Sequence, residues 1–278
     1  MVESAPFPLV VIRIADQSVL YINQLASELF GVIPERAVGR TVSNYLGEPE
    51  ERLKILKAVK QNGRVLDLEL QLKDANGRFL WALLSANQMR WLDEPVIMVA
   101  INDISARKLM EEELHRLATT DSLTGILNRR QFLAMGEQEL RKVCRYHGPL
   151  SLIIYDVDHF KKVNDTYGHQ TGDKVLKEIT RAVSLQLRNS DIFGRVGGEE
   201  FGIILPETAV SEALHVAERI RFSIENLEIA ISDRTLKITA SFGVAGQLED
   251  YSLDTIYNRA DDALYQAKEY GRNTVKWK

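Results

Sequence analysis

The stretch that most constrains the fold is Arg195–Pro206, in which apolar runs flank Gly197 and Gly198. Apolar runs joined by two glycines predict a pair of strands and a tight hairpin, because glycine supplies the positive φ angles that such turns require. Glu199 and Glu200 follow the glycines directly. Successive side chains of a strand point to opposite faces, so the two carboxylates cannot both point outward. At least one is therefore expected to face a cation.

A second acidic group ends an upstream apolar run, where Asp156 and Asp158 follow Leu152–Tyr155. An acidic residue at the end of a buried strand, beside a hairpin that carries glutamates, is a common way to build an oxygen-ligand Mg²⁺ site. The two features together favour a metal site over an ordinary hairpin whose carboxylates lie in water. Asp158 is left open between a ligand and a structural role.

Two other kinds of acidic site compete with this interpretation. An EF-hand loop starting at Asp156 would have Phe160 at position five, Lys161 in place of the glycine at position six and Tyr167 in place of the glutamate at position twelve, which excludes it. A DxD glycosyltransferase motif at Asp156 and Asp158 is possible, but it leaves the glutamate hairpin unexplained.

Four separated motifs resemble those of the GGDEF family, the diguanylate cyclases. Gly197–Phe201 is similar to the signature motif in its GGEEF form. The other three motifs are Asp156–Asp165 with Gly168-His169 and Gly172-Asp173, Asp121–Thr124 with Asn128–Arg130, and Ala267-Lys268 with Gly271–Asn273. Agreement at four places in the expected order is far more specific than one short motif.

This resemblance implies an enzyme that condenses two GTP molecules into cyclic di-GMP and two pyrophosphates at a dimeric active site. It also implies Mg²⁺ or Mn²⁺ as the cofactor, with two ions per site, held by Asp156, the backbone carbonyl of Val157, Glu199 and Glu200. The two glutamates would share the catalytic work, and the division between base and metal ligand is left open. The alternative is a non-catalytic GGDEF domain that only binds GTP or cyclic di-GMP and passes on a signal.

The resemblance further implies which residues bind the substrate and the product. Asn164 and Asp173 match the guanine-binding pair of the family, and Gly198 belongs to the same GTP site. The backbone N–H groups of Phe160 and Lys161 would bind the terminal phosphates, helped by Lys268 and Arg272, which are expected to lie one helical turn apart. For product inhibition, the matching residues are Arg188, Asp191 and Arg219.

The N-terminal part has the pattern of an α+β sensor module. Strands are predicted at residues 8–14, 18–22, 64–72, 78–89 and 95–104, with a short helix that Asn23 begins and Gly31 ends. This order, and the sequence Asn102–Lys108, resemble a PAS domain, although a featureless α+β domain stays open. Residues 1–107 contain no His or Cys, which argues against His-ligated haem and cysteinyl-flavin photochemistry. An apolar small molecule, a non-covalent flavin or no ligand at all stay open.

Between the two parts, residues 105–120 predict a polar helix. Met110, Leu114 and Leu117 recur at alternating spacings of four and three residues, which is typical of a coiled-coil seam. A second copy of the helix is the expected partner, so we expect a homodimer, and the alternative is a helix folded back onto its own domain. The predicted boundaries are 1–107 for the sensor, 108–120 for the signalling helix and 121–278 for the cyclase domain.

In the C-terminal part, helices are predicted near 125–146, 171–188, 209–226 and 254–269. Strands are predicted near 150–156, 192–196, 200–205, 235–245 and 273–277, which suggests an α+β sheet with antiparallel strands and helices on one face. The resemblance implies a palm-like, ferredoxin-like fold related to nucleotidyl cyclases.

Composition narrows the possible partners and compartment. The 278 residues carry a formal net charge of −4, which gives no indication of nucleic-acid or membrane-surface binding. No apolar run reaches the length of a membrane span, and no basic stretch precedes the first apolar residues as in a signal peptide. The single cysteine, Cys144, fits a reducing compartment, so a cytoplasmic protein is expected.

Overall fold

The computed structural model describes residues 5–42, 55, 57–59, 61–146, 148–231, 234–246 and 252–278. Packing divides the chain into two compact units, Met1–Glu113 and Leu114–Lys278. In the described part of the chain, no helix combines the length and the apolar character that a membrane crossing requires.

The first unit is built on a five-stranded antiparallel sheet. Its strands are β1 (Leu9–Arg13), β2 (Val19–Ile22), β3 (Arg64–Lys73), β4 (Phe79–Trp91) and β5 (Glu94–Asp103), in the spatial order β2-β1-β5-β4-β3. All five strands lie close to the predicted positions. Alternate residues of β4, from Leu80 to Ala86, are buried, so one face of the sheet packs on the core.

Two short helices, α1 (Gln24–Phe30) and α2 (Pro34–Ala37), follow β2. The predicted start and end of α1 are confirmed. Asn23 Oδ1 accepts a hydrogen bond of 3.0 Å from the backbone N–H of Ala26, and Gly31 adopts a left-handed conformation with φ 62°. Ala26 and Phe30 are buried in the same core as the inward face of the sheet.

Helix α3 (Ser105–Thr119) continues from β5. It begins where Asp103 Oδ1 accepts a hydrogen bond of 2.8 Å from the backbone N–H of Ser105. None of its residues is buried, and Met110, Leu114 and Leu117 are each more than half exposed. The apolar side chains of the predicted seam therefore lie on the surface of the chain.

The second unit contains a six-stranded mixed sheet. Its strands are β6 (Leu127–Asn128), β7 (Leu150–Val157), β8 (Ile192–Arg195), β9 (Glu200–Pro206), β12 (Ala240–Gly246) and β13 (Val275–Trp277), in the spatial order β13-β12-β7-β9-β8-β6. The outer strands β13 and β6 run parallel to their neighbours, and the other pairs are antiparallel. A separate hairpin consists of β10 (Ile229–Ile231) and β11 (Arg234–Leu236).

Helices cover both faces of this sheet, so the prediction of helices on one face was wrong. Helices α6 (His169–Ser184) and α7 (Val210–Glu225) pack with the core on one face, and α4 (Arg129–Tyr146) and α8 (Leu253–Glu269) pack on the other. The physical reason is visible in β7, where all eight residues are buried. A strand that is apolar on both sides needs a layer on each side.

Two elements differ from their predicted form. Helix α5 (Phe160–Tyr167) was not predicted, because it is short and lies between two positive-φ residues, His159 at 56° and Gly168 at 80°. The strand predicted at 235–245 is divided into β11 and β12. The two parts pair with different strands, since β11 pairs with β10 in the separate hairpin and β12 pairs with β7 in the main sheet.

Candidate active site

The candidate site lies where β7 ends and β9 begins. Asp156 and Glu200 are direct partners in the antiparallel register of these two strands. Directly opposed side chains in a sheet are close neighbours on one face, so the two carboxylates share one surface. The backbone N–H of Val157, which is fully buried, donates to the carbonyl of Glu199 at 3.2 Å. The hairpin therefore places both glutamates beside the end of the central strand.

The hairpin loop does not need its glycines for positive φ angles, so that part of the prediction was wrong. Neither Gly197 nor Gly198 belongs to the positive-φ residues. A side chain at Gly197 would instead collide with the Glu200 carboxylate, 2.5 Å from the added Cβ. Gly198 is exposed, with no atom within 4 Å of an added Cβ. Gly197 makes room for a side chain of the protein, and Gly198 leaves open backbone at the surface.

The side chain of Arg195 fixes the hairpin loop through hydrogen bonds. Its Nε donates to the carbonyl of Gly198 at 3.0 Å, and one terminal nitrogen pairs with both carboxylate oxygens of Asp121 at 3.0 and 3.2 Å. Desolvation works against ionisation of Asp121, but hydrogen bonds from Thr124 and Arg195 outweigh it and lower the pKa of this carboxyl. Asp121 is thus a charged anchor in the segment that follows α3.

Asp156 is a buried carboxylate with one close cation among the residues that the structure describes. It is 7% exposed, and its Oδ2 lies 2.9 Å from Lys268 Nζ. Burial raises the pKa of Asp156 to about 6; Lys268 lowers it in part, and the charges of Glu199 and Glu200 raise it. The site therefore holds more negative charge than its one lysine neutralises.

This donor set fits a hard divalent cation. Carboxylate and carbonyl oxygens are the ligands that Mg²⁺ and Mn²⁺ prefer, and a cation would relieve the repulsion that raises the pKa of Asp156. Within the described residues, no three acidic, His or Cys side chains are already gathered at metal-ligand spacing. The Lys268 ammonium instead stands beside Asp156.

The open question of Asp158 is resolved in favour of a structural role. Its Oδ1 accepts from Ser241 Oγ at 2.7 Å, and its Oδ2 accepts from Thr239 Oγ1 at 2.7 Å and from the backbone N–H of Asn273 at 3.1 Å. The residue is 4% exposed. Because three donors already satisfy it, this carboxylate joins β7, β12 and the turn before β13.

The residues expected to bind guanine lie together on α5 and α6. Asn164 is half-buried, and its side-chain carbonyl occupies the space that a side chain at Gly172 would fill. Asp173 is the next residue and is exposed. Because Gly172 has no side chain, the Asn164 amide can lie against its backbone, next to the exposed Asp173.

The residues expected to bind phosphate divide into two groups. Phe160 and Lys161 form the first turn of α5, whose N–H groups have no partner inside the helix. Lys268 lies in the last turn of α8, but Arg272 does not continue that helix. Its φ is 65°, because α8 ends at Glu269 and the chain turns through Gly271. The two cations are therefore not one helical turn apart, and Arg272 is presented by an exposed turn.

The three residues expected at an inhibitory site line one cavity of about 210 Å³, shared with Glu212 and His215. Arg188 is exposed, and its N–H donates to Asp191 Oδ2 at 2.8 Å, so Asp191 also caps the turn. Arg219 donates to the carbonyl of Gln186 at 2.8 Å. The structure thus brings Arg188, Asp191 and Arg219 together, and Asp191 Oδ1 also accepts a long hydrogen bond of 3.5 Å from Ser190 Oγ.

Sequence reasoning missed the partners that support the site. Arg195 was noted only as the start of the hairpin stretch, and Asp121 and Asn273 only as parts of motifs. Asn273 Nδ2 donates to Glu225 Oε1 at 2.7 Å, and Arg221 donates to Asn273 Oδ1 at 2.9 Å. The available sequence signal for this network around Asn273 was Asp158, since a carboxylate at the end of a buried strand needs several hydrogen-bond donors.

The comparisons with known proteins agree with this architecture. Residues 118–274 match the family described as diguanylate cyclase, GGDEF domain, and residues 1–104 match the PAS fold. The chain belongs to the GGDEF family, with a PAS domain before the GGDEF domain.

Among its relatives is the diguanylate cyclase DgcM of Escherichia coli, 40% identical over 182 residues, which are 66% of this chain and 44% of that protein. The response regulator PleD of Caulobacter vibrioides is 40% identical over 162 residues, 57% of this chain and 36% of that protein. The chain thus spans less than half the length of these two relatives.

A solved structure of the coiled coil and GGDEF domain of DgcB from Caulobacter crescentus, in complex with c-di-GMP, is also similar. It has a TM-score of 0.59 and 32% identity, and the match covers 62% of this chain and 93% of that one.

Proposed function

We propose that this protein condenses two GTP molecules into cyclic di-GMP and two pyrophosphates. The observation that carries the proposal is the register of Asp156 opposite Glu200, at the end of a strand where the charges of both glutamates help to raise the pKa of Asp156. Such a concentration of negative charge suits a site whose cation and nucleotide arrive together. The relatives named as diguanylate cyclases support the same reaction.

For the metal, we propose Asp156, the carbonyl of Val157, Glu199 and Glu200 as ligands for Mg²⁺ or Mn²⁺, with two ions per active site. A bound pair of ions would stabilise negative charge on the attacking and leaving oxygens. The chain's own contribution is to hold these oxygens at the end of a fully buried strand.

The reaction joins the two GTP molecules through their 3′-hydroxyl and α-phosphate groups. The 3′-hydroxyl oxygen of one GTP attacks the α-phosphorus of the other, and the bond to pyrophosphate breaks. Glu200 or Glu199 accepts the hydroxyl proton. Each GTP does this once, so two new phosphodiester bonds replace two bonds to pyrophosphate.

Substrate binding is assigned to residues from four elements. Asp173 accepts from the guanine N1–H and N2–H₂ groups, while the Asn164 amide pairs with a ring acceptor. The terminal phosphates bind the first N–H groups of α5, at Phe160 and Lys161, together with Lys268 and Arg272. Gly198 lets the nucleotide approach the backbone, and the open space around it supports this role.

The test of this function is incubation of the purified protein with GTP and Mg²⁺, followed by chromatographic detection of cyclic di-GMP. Asp156→Ala and Glu199→Ala should each reduce product formation at least about a hundredfold. Glu137→Ala removes an exposed carboxylate from α4 and serves as the matched control. A wild-type protein that binds GTP but forms no product would instead support the non-catalytic alternative.

We also propose that the active form is a homodimer joined through α3. One half-site holds one GTP, so the two must meet face to face, and the exposed Met110, Leu114 and Leu117 offer an apolar stripe for the second copy. Leu114→Glu with Leu117→Glu should shift the protein to monomers in sedimentation and lower its specific activity. Leu185→Glu, at a site that is 79% exposed outside the helix, is the control. Unchanged dimerisation in the double variant would contradict the proposal.

Feedback by the product is proposed at the cavity of Arg188, Asp191 and Arg219. Arginine can bind guanine O6 and N7 with two parallel hydrogen bonds, and Asp191 has one oxygen oriented by the turn. Arg188→Ala should keep its initial rate but lose inhibition by added cyclic di-GMP. Arg181→Ala, an exposed arginine on α6, is the control. Equal inhibition of wild type and Arg188→Ala would show that the Arg188–Asp191 turn has only a structural role.

Regulation by the PAS domain is proposed because β5 of its sheet leads directly into α3. The cytoplasmic location stays a prediction from the sequence.

A further inference from the structure

The turn between α8 and β13 has a backbone conformation that its residues rarely adopt. Gly271, Arg272 and Asn273 have φ angles of 103°, 65° and 44°, the longest run of positive φ angles in the described part of the chain. Glycine adopts such angles freely and asparagine does so occasionally, but the Cβ of an arginine comes too close to the following carbonyl oxygen. Arg272 is therefore strained, and such strain persists only where neighbouring contacts impose it.

Asn273 makes the contacts that fix this turn. Its side-chain Nδ2 donates to Glu225 Oε1 at 2.7 Å, and its Oδ1 accepts from Arg221 Nη1 at 2.9 Å. Its backbone N–H donates to Asp158 Oδ2 at 3.1 Å. The amide of Asn273 is thus held by α7, and its backbone is held at the end of β7.

The two partners on α7 also hold each other. Arg221 Nη1 donates to Glu225 Oε2 at 3.0 Å, and Arg221 Nε donates to Glu218 Oε2 at 2.7 Å. Hydrogen bonds from Asn273 and Arg221 lower the pKa of the Glu225 carboxyl, so it is ionised at neutral pH. An ionised carboxylate accepts a charge-assisted hydrogen bond from the Asn273 amide, which is stronger than a neutral one. The turn is therefore held by side chains that are already ordered.

This turn places Arg272 beside the acidic end of β7. Lys268 Nζ contacts Asp156, and the N–H of Asn273 contacts Asp158. The segment between them is thus attached to the strand end on both sides, and Arg272 directly precedes the second attachment. Arg272 is exposed, and within the described residues its guanidinium has no hydrogen bond or ion pair. It is a cation available to an anionic ligand.

From these observations we propose that Asn273 is a positioning residue for the substrate. Together with Glu225, it holds Arg272 in the left-handed conformation, in which the guanidinium meets the terminal phosphates of the nucleotide. A cation that is already oriented binds with a smaller loss of conformational entropy. The inference rests on the proposed function, since it adds a residue to the same GTP site, but it is tested by nucleotide binding and not by turnover.

The test compares nucleotide binding by the full chain and its variants in ligand-observed NMR titrations with Mg²⁺. The probes are α,β-methylene-GTP, whose pyrophosphate cannot leave, and GMP, which lacks the terminal phosphates. Asn273→Gly permits the left-handed backbone and keeps the N–H for Asp158, but it removes the amide. It should weaken binding of the GTP analogue at least about tenfold and leave that of GMP within about twofold. An equal loss for both nucleotides, or no loss, would overturn the inference.

Two glutamates on α7 give a matched comparison. Glu218 and Glu225 both pair with Arg221, and of the two Glu225 also accepts from Asn273. Glu225→Ala should weaken binding of the GTP analogue at least about fivefold, whereas Glu218→Ala should stay within about twofold of wild type. Glu225→Gln keeps an acceptor oxygen and should also stay within about twofold. Equal binding by the two alanine variants would contradict the inference, even if Asn273→Gly fails to fold.

A double variant shows whether Asn273 acts through Arg272. Arg272→Ala should weaken binding of the GTP analogue at least about tenfold, and adding Asn273→Gly should weaken it less than about twofold further. Losses that multiply would overturn the inference, because Asn273 would then act independently of Arg272. A protein that shows the expected binding but forms no cyclic di-GMP would remove the proposed reaction and keep this inference. An active cyclase whose Asn273→Gly and Glu225→Ala variants bind like wild type would do the reverse.

Discussion

The ammonium of Lys268 lies 2.9 Å from the carboxylate of Asp156, within the group of acidic residues expected to hold the metal. One lysine does not balance this group, because burial and the two glutamates still raise the pKa of Asp156 to about 6. Ionisation of the Asp156 carboxyl is thus less favourable in the folded protein than in the unfolded chain. Two predictions use this property.

The first prediction concerns stability. The pKa of Asp156 rises from 3.8 in the unfolded chain to about 6 in the folded one, so the native state binds the extra proton and ionisation above pH 6 costs stability. Asp156→Asn resembles the protonated form and should raise the free energy of unfolding at pH 7.5 by about 1–2 kcal/mol. The gain should shrink as the pH falls through 6 and vanish near 4.

Urea denaturation of the metal-free protein at several pH values measures this effect. Asp173→Asn, at an exposed position, is the control and should change stability little. A destabilised Asp156→Asn at pH 7.5 would mean that the Lys268 pair is worth more than the burial cost.

The second prediction concerns proton release by the metal. Mn²⁺ requires ionised carboxylates, so its binding should displace the proton of Asp156 where that proton is present. With a pKa of about 6, the apparent dissociation constant should rise about fourfold between pH 7.5 and 5.5. Calorimetry in two buffers of different ionisation enthalpy counts the released protons. No proton release at pH 5.5 would place Asp156 outside the metal site.

The third prediction is that alanine substitutions at Gly197 and Gly198 have different effects. Gly197→Ala should displace the Glu200 carboxylate and lower turnover, because the new methyl group meets the end of this flexible side chain. Gly198→Ala should leave the unfolding transition within about 0.5 kcal/mol of wild type, since its surroundings are open. Its KM for GTP should nevertheless rise, if the nucleotide approaches the backbone there. Thermal melts and steady-state kinetics of the two variants, with Gly148→Ala at another open position as control, distinguish these effects.

The fourth prediction concerns a buried hydroxyl. Tyr155 is fully buried among Phe193, Phe201 and Phe242, and its phenol oxygen has no hydrogen-bond partner within the described residues. Tyr155→Phe removes this group and should raise the free energy of unfolding by about 1 kcal/mol. Tyr270→Phe, at an exposed ring, should be neutral. A loss of stability in Tyr155→Phe, measured by denaturant titration, would reveal a partner for the hydroxyl.

The sequence predicted much of this architecture because local patterns dominate it. The five sensor strands and the cap at Asn23 follow from alternation and from a short polar side chain at a helix start. The proximity of Asp156 to the glutamate hairpin was also predicted, but its pairing with Glu200 is a matter of strand register, which the sequence analysis did not predict.

Other features depend on contacts between distant segments, which no local pattern reveals. The role of Asp158 depends on Thr239 and Asn273, far along the chain. The helices on both faces follow from the complete burial of β7, which periodicity alone does not separate from burial on one side. The helix predicted near 254–269 ends at the same residue as α8, and the expected one-turn spacing of Lys268 and Arg272 failed because the turn through Gly271 directs the chain away from the helix.

The hydrogen bond from Asn273 to Asp158 also fixes an order of events during synthesis. At the base of the candidate site, Asp158 accepts this bond directly after β7, but Asn273 is synthesised more than a hundred residues later. Strand β12, which also contacts Asp158, is synthesised only shortly before Asn273. Domains usually fold as units from the N-terminus as the chain emerges. The PAS domain can therefore be complete while the candidate site of the GGDEF domain is still unassembled.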